Sequence, residues 1–162
     1  MATGDNLQTA SSVAKTSGIF AESQTKIFLG DVNQAGNVVW RNSNDADEFT
    51  SDLSWVKEDN SIGLAMTGSA FEVIEGVKDE DPDQFKTILQ RTAVYARMSP
   101  NDKASLVRNL QNILVQNCGM CGDGANDCAA LKAASVGLSL SEAEASIAAP
   151  FTSKVQNISS VI

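Results

Sequence analysis

Short apolar runs of strand character alternate with helical segments along most of this chain, and that alternation restricts the fold more than any other feature. The strand-like runs are Lys26–Gly30 (KIFLG), Asn37–Trp40 (NVVW), Ile62–Gly68 (IGLAMTG), Thr92–Arg97 (TAVYAR), the run entering Gly122 (CGMCG) and Val136–Leu140. Asp5 or Asn6 caps a first helix with Leu7, Ala10, Val13 and Ala14 on one face, closing near Ser17-Gly18. Further helices are expected over Ser69–Val77, Pro82–Gln90 and Pro100 to about Gln116, the last with Ser99 as its cap and a buried stripe of Leu106, Val107, Leu110, Ile113 and Leu114. Asn126–Ala134 reads as a small-residue helix, and Ser141 with Glu144 as the capping box of one more. Asn33–Gly36 is a turn, and Asn42–Asp52 a loop or short helix. Strands alternating with helices imply an α/β fold, a doubly wound, mostly parallel sheet covered on both faces. At 162 residues and 43% hydrophobic content, residues 1–162 suffice for a single domain.

Composition removes several functional classes. With no histidine, triads and metal sites built on imidazole are excluded. A net charge of −8 opposes nucleic acid and anionic membrane surfaces, and the acidic run Asp79, Glu80, Asp81 and Asp83 is a solvated helix start. No stretch reaches the roughly 20 apolar residues of a membrane span, and no basic region followed by an apolar block marks a signal peptide. Three cysteines do not make a disulfide framework and fit a reducing compartment. Cys118 and Cys121 have a C-x-x-C spacing, but they flank the Gly-Met of a buried strand rather than opening a helix, so a structural role is expected.

Ligands of a doubly wound sheet gather at the C-terminal ends of its strands. Three segments place polar groups there: Thr3-Gly4-Asp5, Lys103 in the first turn of its helix, and Gly122-Asp123-Gly124-Ala125-Asn126-Asp127. The last is the most specific. Two glycines let the backbone turn sharply against a ligand, while the Asp123 and Asp127 carboxylates with the Asn126 amide provide hard oxygens for a partly hydrated Mg²⁺. Thr3 stands before a helix N-terminus, where free N–H groups attract an anionic oxygen. Each segment alone also suits an ordinary turn, cap or surface lysine. Together they are the parts of phosphoryl transfer, which is mostly positioning and charge neutralisation.

In this order the segments resemble the haloacid-dehalogenase-like phosphotransferases, and their combination is similar to the phosphorylation (P) domain of P-type ATPases. MATGDN matches that family's T-G-D-[N/K/R] motif, ARMSPNDK (Ala96–Lys103) its lysine segment, and CGDGANDC (Cys121–Cys128) its metal loop. ALKAASVGLSLSEAEASIAAPFTS (Ala130–Ser153) and LAMTGSAF (Leu64–Phe71) resemble the fifth class, B subgroup, of polyamine and cation pumps. The resemblance implies a Rossmann-like P domain in which Thr3 and Lys103 stabilise the transferred phosphoryl group. It further implies that Asp123 and Asp127 hold Mg²⁺, that Asn126 bonds the phosphate, and that Gly4, Asp5, Gly122 and Gly124 shape the pocket. ATP would be the substrate. The partners would be the N-terminal half of the P domain and the nucleotide-binding and actuator domains of one polypeptide. Nucleic acid is excluded, and the membrane is met only through the parent's helices, in late endosomes or lysosomes.

The departures are as informative. No D-K-T-G-T run occurs, so the phosphorylated aspartate of such a family is missing from these residues. Its strand would lie centrally, between the strand leading to Thr3 and the strand ending at Asp123, and without it the sheet has a gap or two unpaired edges. Ser135 stands where this subgroup is expected to carry histidine. These residues alone are therefore expected to be inactive. Two other readings stay open, a free-standing soluble phosphatase of the same superfamily and a non-catalytic Mg²⁺ or phosphate-binding module.

Overall fold

The computed structural model describes residues 1–45, 48–53, 56, 58–141 and 146–153. The chain divides into two compact units, Met1–Met98 and Ser99–Ile162.

The first unit contains α1 (Leu7–Thr16), β1 (Lys26–Val32), β2 (Val38–Asn42), β3 (Phe49–Thr50), β4 (Ile62–Thr67), α2 (Gly68–Gly76), α3 (Pro82–Arg91) and β5 (Thr92–Ala96). Its sheet has the order β3-β2-β1-β4-β5. The β1–β4 and β4–β5 pairs are parallel, whereas β2 and β3 fold back antiparallel. The β1–β2 hairpin is set by Asn33, whose Oδ1 accepts from the Ala35 and Asn37 N–H groups, with Gly36 at φ 83°. Residues 1–3 extend along the outer side of β5, Ala2 bridging Tyr95 in parallel. Tyr95 N–H donates to the Met1 carbonyl at 2.8 Å, and Thr3 N–H to the Tyr95 carbonyl at 2.9 Å.

All six residues of β4 are buried, as a strand covered on both faces must be. On one face Ile27, Ala65, Val94 and Ala96 pack under Leu7, Ala10 and Ala14 of α1. Elsewhere in this core Phe71 of α2 meets Tyr95 edge to face, with ring centroids 5.8 Å apart. Asn6 rather than Asp5 caps α1, accepting from Thr9 N–H at 2.9 Å. Val13, expected on the buried face, is exposed; Ser11 takes its place, because the helix is rotated toward its small side chains. The expected loop over 42–52 contains β3, held by Trp40–Thr50 and Arg41–Phe49 pairing.

The second unit contains α4 (Pro100–Asn112), β6 (Gly119–Gly122), a 3₁₀ turn (Ala125–Asp127), α5 (Cys128–Ala133), β7 (Val136–Ser139), a 3₁₀ turn (Ser146–Ala148) and β8 (Phe151–Thr152). Its three strands run parallel in the order β6-β7-β8. The described strands form two sheets, one mixed and one parallel, where the sequence implied a sheet with a gap or two unpaired edges. The physical reason is visible at two edges: residues 1–3 bond to β5 on one side, and β6 is an end strand of its sheet. For the same reason β6 is half-exposed, contrary to the expected buried strand. Helix α4 stops at Asn112, short of Gln116. Leu106 and Val107 are buried, while Leu110, Ile113 and Leu114 are only partly so. The capping box placed at Ser141 and Glu144 cannot be followed, because Glu144 lies outside the described residues.

Candidate functional site

The singled-out segments fall in both units, Thr3-Gly4-Asp5 in the first and Lys103 with residues 122–127 in the second.

Thr3 leaves the edge of β5 and turns into α1. Its Oγ accepts from Asp5 N–H at 3.1 Å and donates to Asp5 Oδ2 at 3.1 Å, a local turn ahead of the Asn6 cap. Two backbone bonds tie this turn to the end of β5, from Met98 N–H to the Thr3 carbonyl and from Arg97 N–H to the Asp5 carbonyl, both 2.9 Å. Arg97 makes its bond from a left-handed backbone, φ 51°, a costly conformation for a side chain with a Cβ. No sequence signal marks this strain.

In the second unit, α4 aims a charge inward. Ser99 Oγ accepts from Asp102 N–H at 3.2 Å, and Asp102 Oδ2 accepts from Ser99 N–H at 2.8 Å. This reciprocal box, with Pro100 at the first helical position, fixes the start of the helix. The S-x-x-D spacing could have signalled it in the sequence, where only the serine cap was read. One residue later Lys103 is buried at 5% exposure, unlike the solvated lysine common at a helix start. Its ammonium donates to Asp127 Oδ1 at 2.8 Å, and the two side chains are 6% and 8% exposed. A buried pair of this kind is costly to desolvate, and removing one partner leaves an uncompensated charge at about 3–5 kcal/mol. Such pairs persist where the charge itself has a use.

The glycine loop supports the other half of the pair. Asp127 N–H donates to the Gly124 carbonyl at 3.0 Å, closing the 3₁₀ turn that carries the carboxylate back beneath β6. A Cβ on Gly122 would stand 2.6 Å from Asp127 Oδ2, so only glycine admits the carboxylate there. Gly124 is pressed likewise against the Asn126 side-chain oxygen. Asp123 and Asn126 are exposed, Asp127 buried. The Cys121 thiol reports the local field: partial burial, and then the Asp123 and Asp127 charges, push its pKa above the ordinary range. Cys118 is raised by burial as well, and all three cysteines are free. Neither thiol has the lowered pKa of a redox dithiol.

The Mg²⁺ implied by the resemblance can be tested against these groups. Asp123 and Asp127 both act on one thiol, and the Asp127 oxygen not taken by Lys103 faces Gly122. Hard carboxylate oxygens in this arrangement suit a hard, largely hydrated divalent ion. Among the described residues no cluster of three or more His, Cys, Asp or Glu side chains could hold a metal, so these two carboxylates suit an ion whose remaining ligands are water or groups outside this chain.

Comparison with known proteins is consistent along the chain. No family model matches. The "Vacuolar cation-transporting ATPase YPK9" of Saccharomyces cerevisiae is 44% identical over 177 residues, covering 100% of this chain and 12% of that protein. The "Probable cation-transporting ATPase 13A4" of Homo sapiens is 41% identical, covering 99% of this chain and 14% of that protein. The "Polyamine-transporting ATPase 13A2" of Mus musculus is 40% identical with the same coverage. The chain therefore spans 12–14% of the length of these relatives.

Proposed function

The chain belongs to the family of 13A-type cation- and polyamine-transporting P-type ATPases, and from that premise we propose that residues 1–162 form the C-terminal part of the phosphorylation domain of an ATP-driven pump. No described helix is long and apolar enough to cross a membrane, which suits a domain on the aqueous side of such a protein. The observation that carries the reading is the buried Lys103–Asp127 pair. A lysine held in a fixed position, with its charge matched at rest, is prepared to receive a phosphoryl group, whose oxygens compete for the ammonium without moving the side chain.

In the proposed cycle an aspartate in the preceding half of the domain accepts the phosphoryl group of ATP. Lys103 neutralises one phosphoryl oxygen. Thr3 Oγ, released from Asp5, donates to another, and the N–H groups at the start of α1 add to the positive field there. The Asn126 amide hydrogen-bonds a third oxygen. Gly4, Asp5, Gly122 and Gly124 keep the backbone close to the group without blocking it. Asp123 and Asp127 would hold Mg²⁺, which when bound draws off phosphoryl charge. Asp127 would then serve Lys103 through one oxygen and the metal through the other.

The nucleotide-binding and actuator domains belong to the same proposed polypeptide, and late endosomal or lysosomal membranes are its proposed location. One relative is named vacuolar and another polyamine-transporting. Residues 1–162 alone lack the accepting aspartate and should take no phosphate from ATP. The lack of a D-K-T-G-T run within residues 1–162 favours this reading over a self-sufficient soluble phosphatase. Incubating the 162-residue chain with labelled ATP and Mg²⁺ tests this: acid-stable, hydroxylamine-sensitive label on it would refute the assignment.

A further inference from the structure

A concave surface lies within the first unit, and none of Thr3, Gly4 and Asp5 lines it. It is a groove of about 770 Å³ between the β2–β3 hairpin and helices α2 and α3. Trp40 contributes to its lining while itself only 2% exposed, and Phe49, Val73 and Val77 line it while 66%, 38% and 47% exposed. Three large apolar side chains left open to water around one groove are unusual on a surface with nothing to bind. Beside Phe49, β3 is an end strand of its sheet, paired among the described residues to β2 alone.

Charge selects the occupant. None of the groove's described lining residues is charged, but the α2–α3 segment that supplies Val73, Ile74, Val77, Gln84 and Ile88 carries, from residue 72 to 86, six carboxylates (Glu72, Glu75, Asp79, Glu80, Asp81 and Asp83) against Lys78 and Lys86. Lys78 lies 3.9 Å from Glu75, so that lysine is already partly matched. A second copy seated at this groove would set the same acidic helices against these, which disfavours self-pairing there. The fitting chemistry is an extended segment with alternate apolar side chains and Lys or Arg between them: a strand added to β3, apolar groups in the groove, cations on the carboxylates. The relatives are about seven to eight times longer than this chain, and a tethered segment acts at an effective concentration near the millimolar range. We propose that this groove is a docking site for a basic, extended segment of the same polypeptide lying outside residues 1–162. The inference rests on membership in a longer protein, not on the phosphoryl chemistry.

The test uses the full-length transporter carrying a photo-crosslinking benzoylphenylalanine at Phe49 or, separately, at Val77. After irradiation, the adducts are mapped by peptide mass spectrometry. Both positions are expected to capture one Lys- or Arg-rich segment outside residues 1–162 of the same chain. The yield should fall several-fold when Glu72→Gln, Asp79→Asn and Glu80→Gln are combined, while Val77→Ala without the crosslinker leaves the fold intact. Capture of a second copy, of another protein, or of residues within 1–162 only would overturn the proposal, as would no adduct from a folded protein. Phosphoenzyme formation measured on the same preparations separates this outcome from any failure of the proposed activity.

Discussion

Lys103 shows how far a single residue can be read. Its position in the first helical turn after Ser-Pro was legible, because caps and prolines act over three or four residues. Its burial was not, because that depends on Asp127, 24 residues further on. Lys103→Met should loosen the second unit by about 3–5 kcal/mol by stranding the Asp127 carboxylate, read as faster amide exchange in α4 and α5 of the full-length protein. The pair Lys103→Met and Asp127→Leu should recover most of that protection. Unchanged exchange in the single variant would mean that the ion pair is not held in solution. Cys121 offers an independent reporter. Its raised pKa means the folded state favours the protonated thiol, a contribution present below the ordinary value of 9.0 and lost as pH rises past it. Alkylation of Cys121 at pH 8 should therefore be slow, and faster in Asp123→Asn. Adding Mg²⁺ should speed it too, if Asp123 and Asp127 take up the ion and their charge is neutralised. Rates indifferent to Mg²⁺ would remove these two carboxylates as ligands.

Elements with strong periodicity or a clear cap were legible to within a few residues, as α1, α3 and β4 illustrate. Strand β3 was not, because two residues carry no period and their pairing is set by β2. The end of α4 was misjudged because apolar residues continue past it to Val115, where the backbone turns left-handed at φ 54°. A β-branched residue is strained there, and Val115 is 85% exposed, so its side chain returns little packing. Val115→Gly should raise stability, by up to about 1 kcal/mol, seen as a higher melting temperature of the domain. A lower one would mean the valine side chain packs against something in the whole protein. Residues 1–3 and β6 make a different prediction, since among the described residues the strand formed by 1–3 pairs on one side, with β5, and β6 on one side, with β7. The isolated 162-residue chain should self-associate in light scattering, and attaching the preceding half of the domain should return it to a monomer. A monodisperse isolated chain would show that these edges are already satisfied.

For the whole molecule, the α/β class followed from alternation alone, and the family followed from three motifs whose spacing no local rule dictates. A break in the sheet was legible from the missing central strand, but the strand order β3-β2-β1-β4-β5 was not, because it depends on long-range pairing that no short window encodes. The groove beside β3 escaped for the same reason: its lining comes from segments as far apart as Asn33 and Ile88. The central claim is that Lys103, Asp123 and their neighbours serve an aspartyl-phosphate cycle completed by the rest of the polypeptide. It is tested most directly by labelling the full-length protein with radioactive ATP and Mg²⁺, quenching in acid, and counting protein-bound phosphate in parallel with Asp123→Asn. Hydroxylamine-sensitive label on the parent protein, nearly abolished in the variant, is the predicted result. A folded, full-length protein that takes no label, or takes it equally without Asp123, would contradict the account.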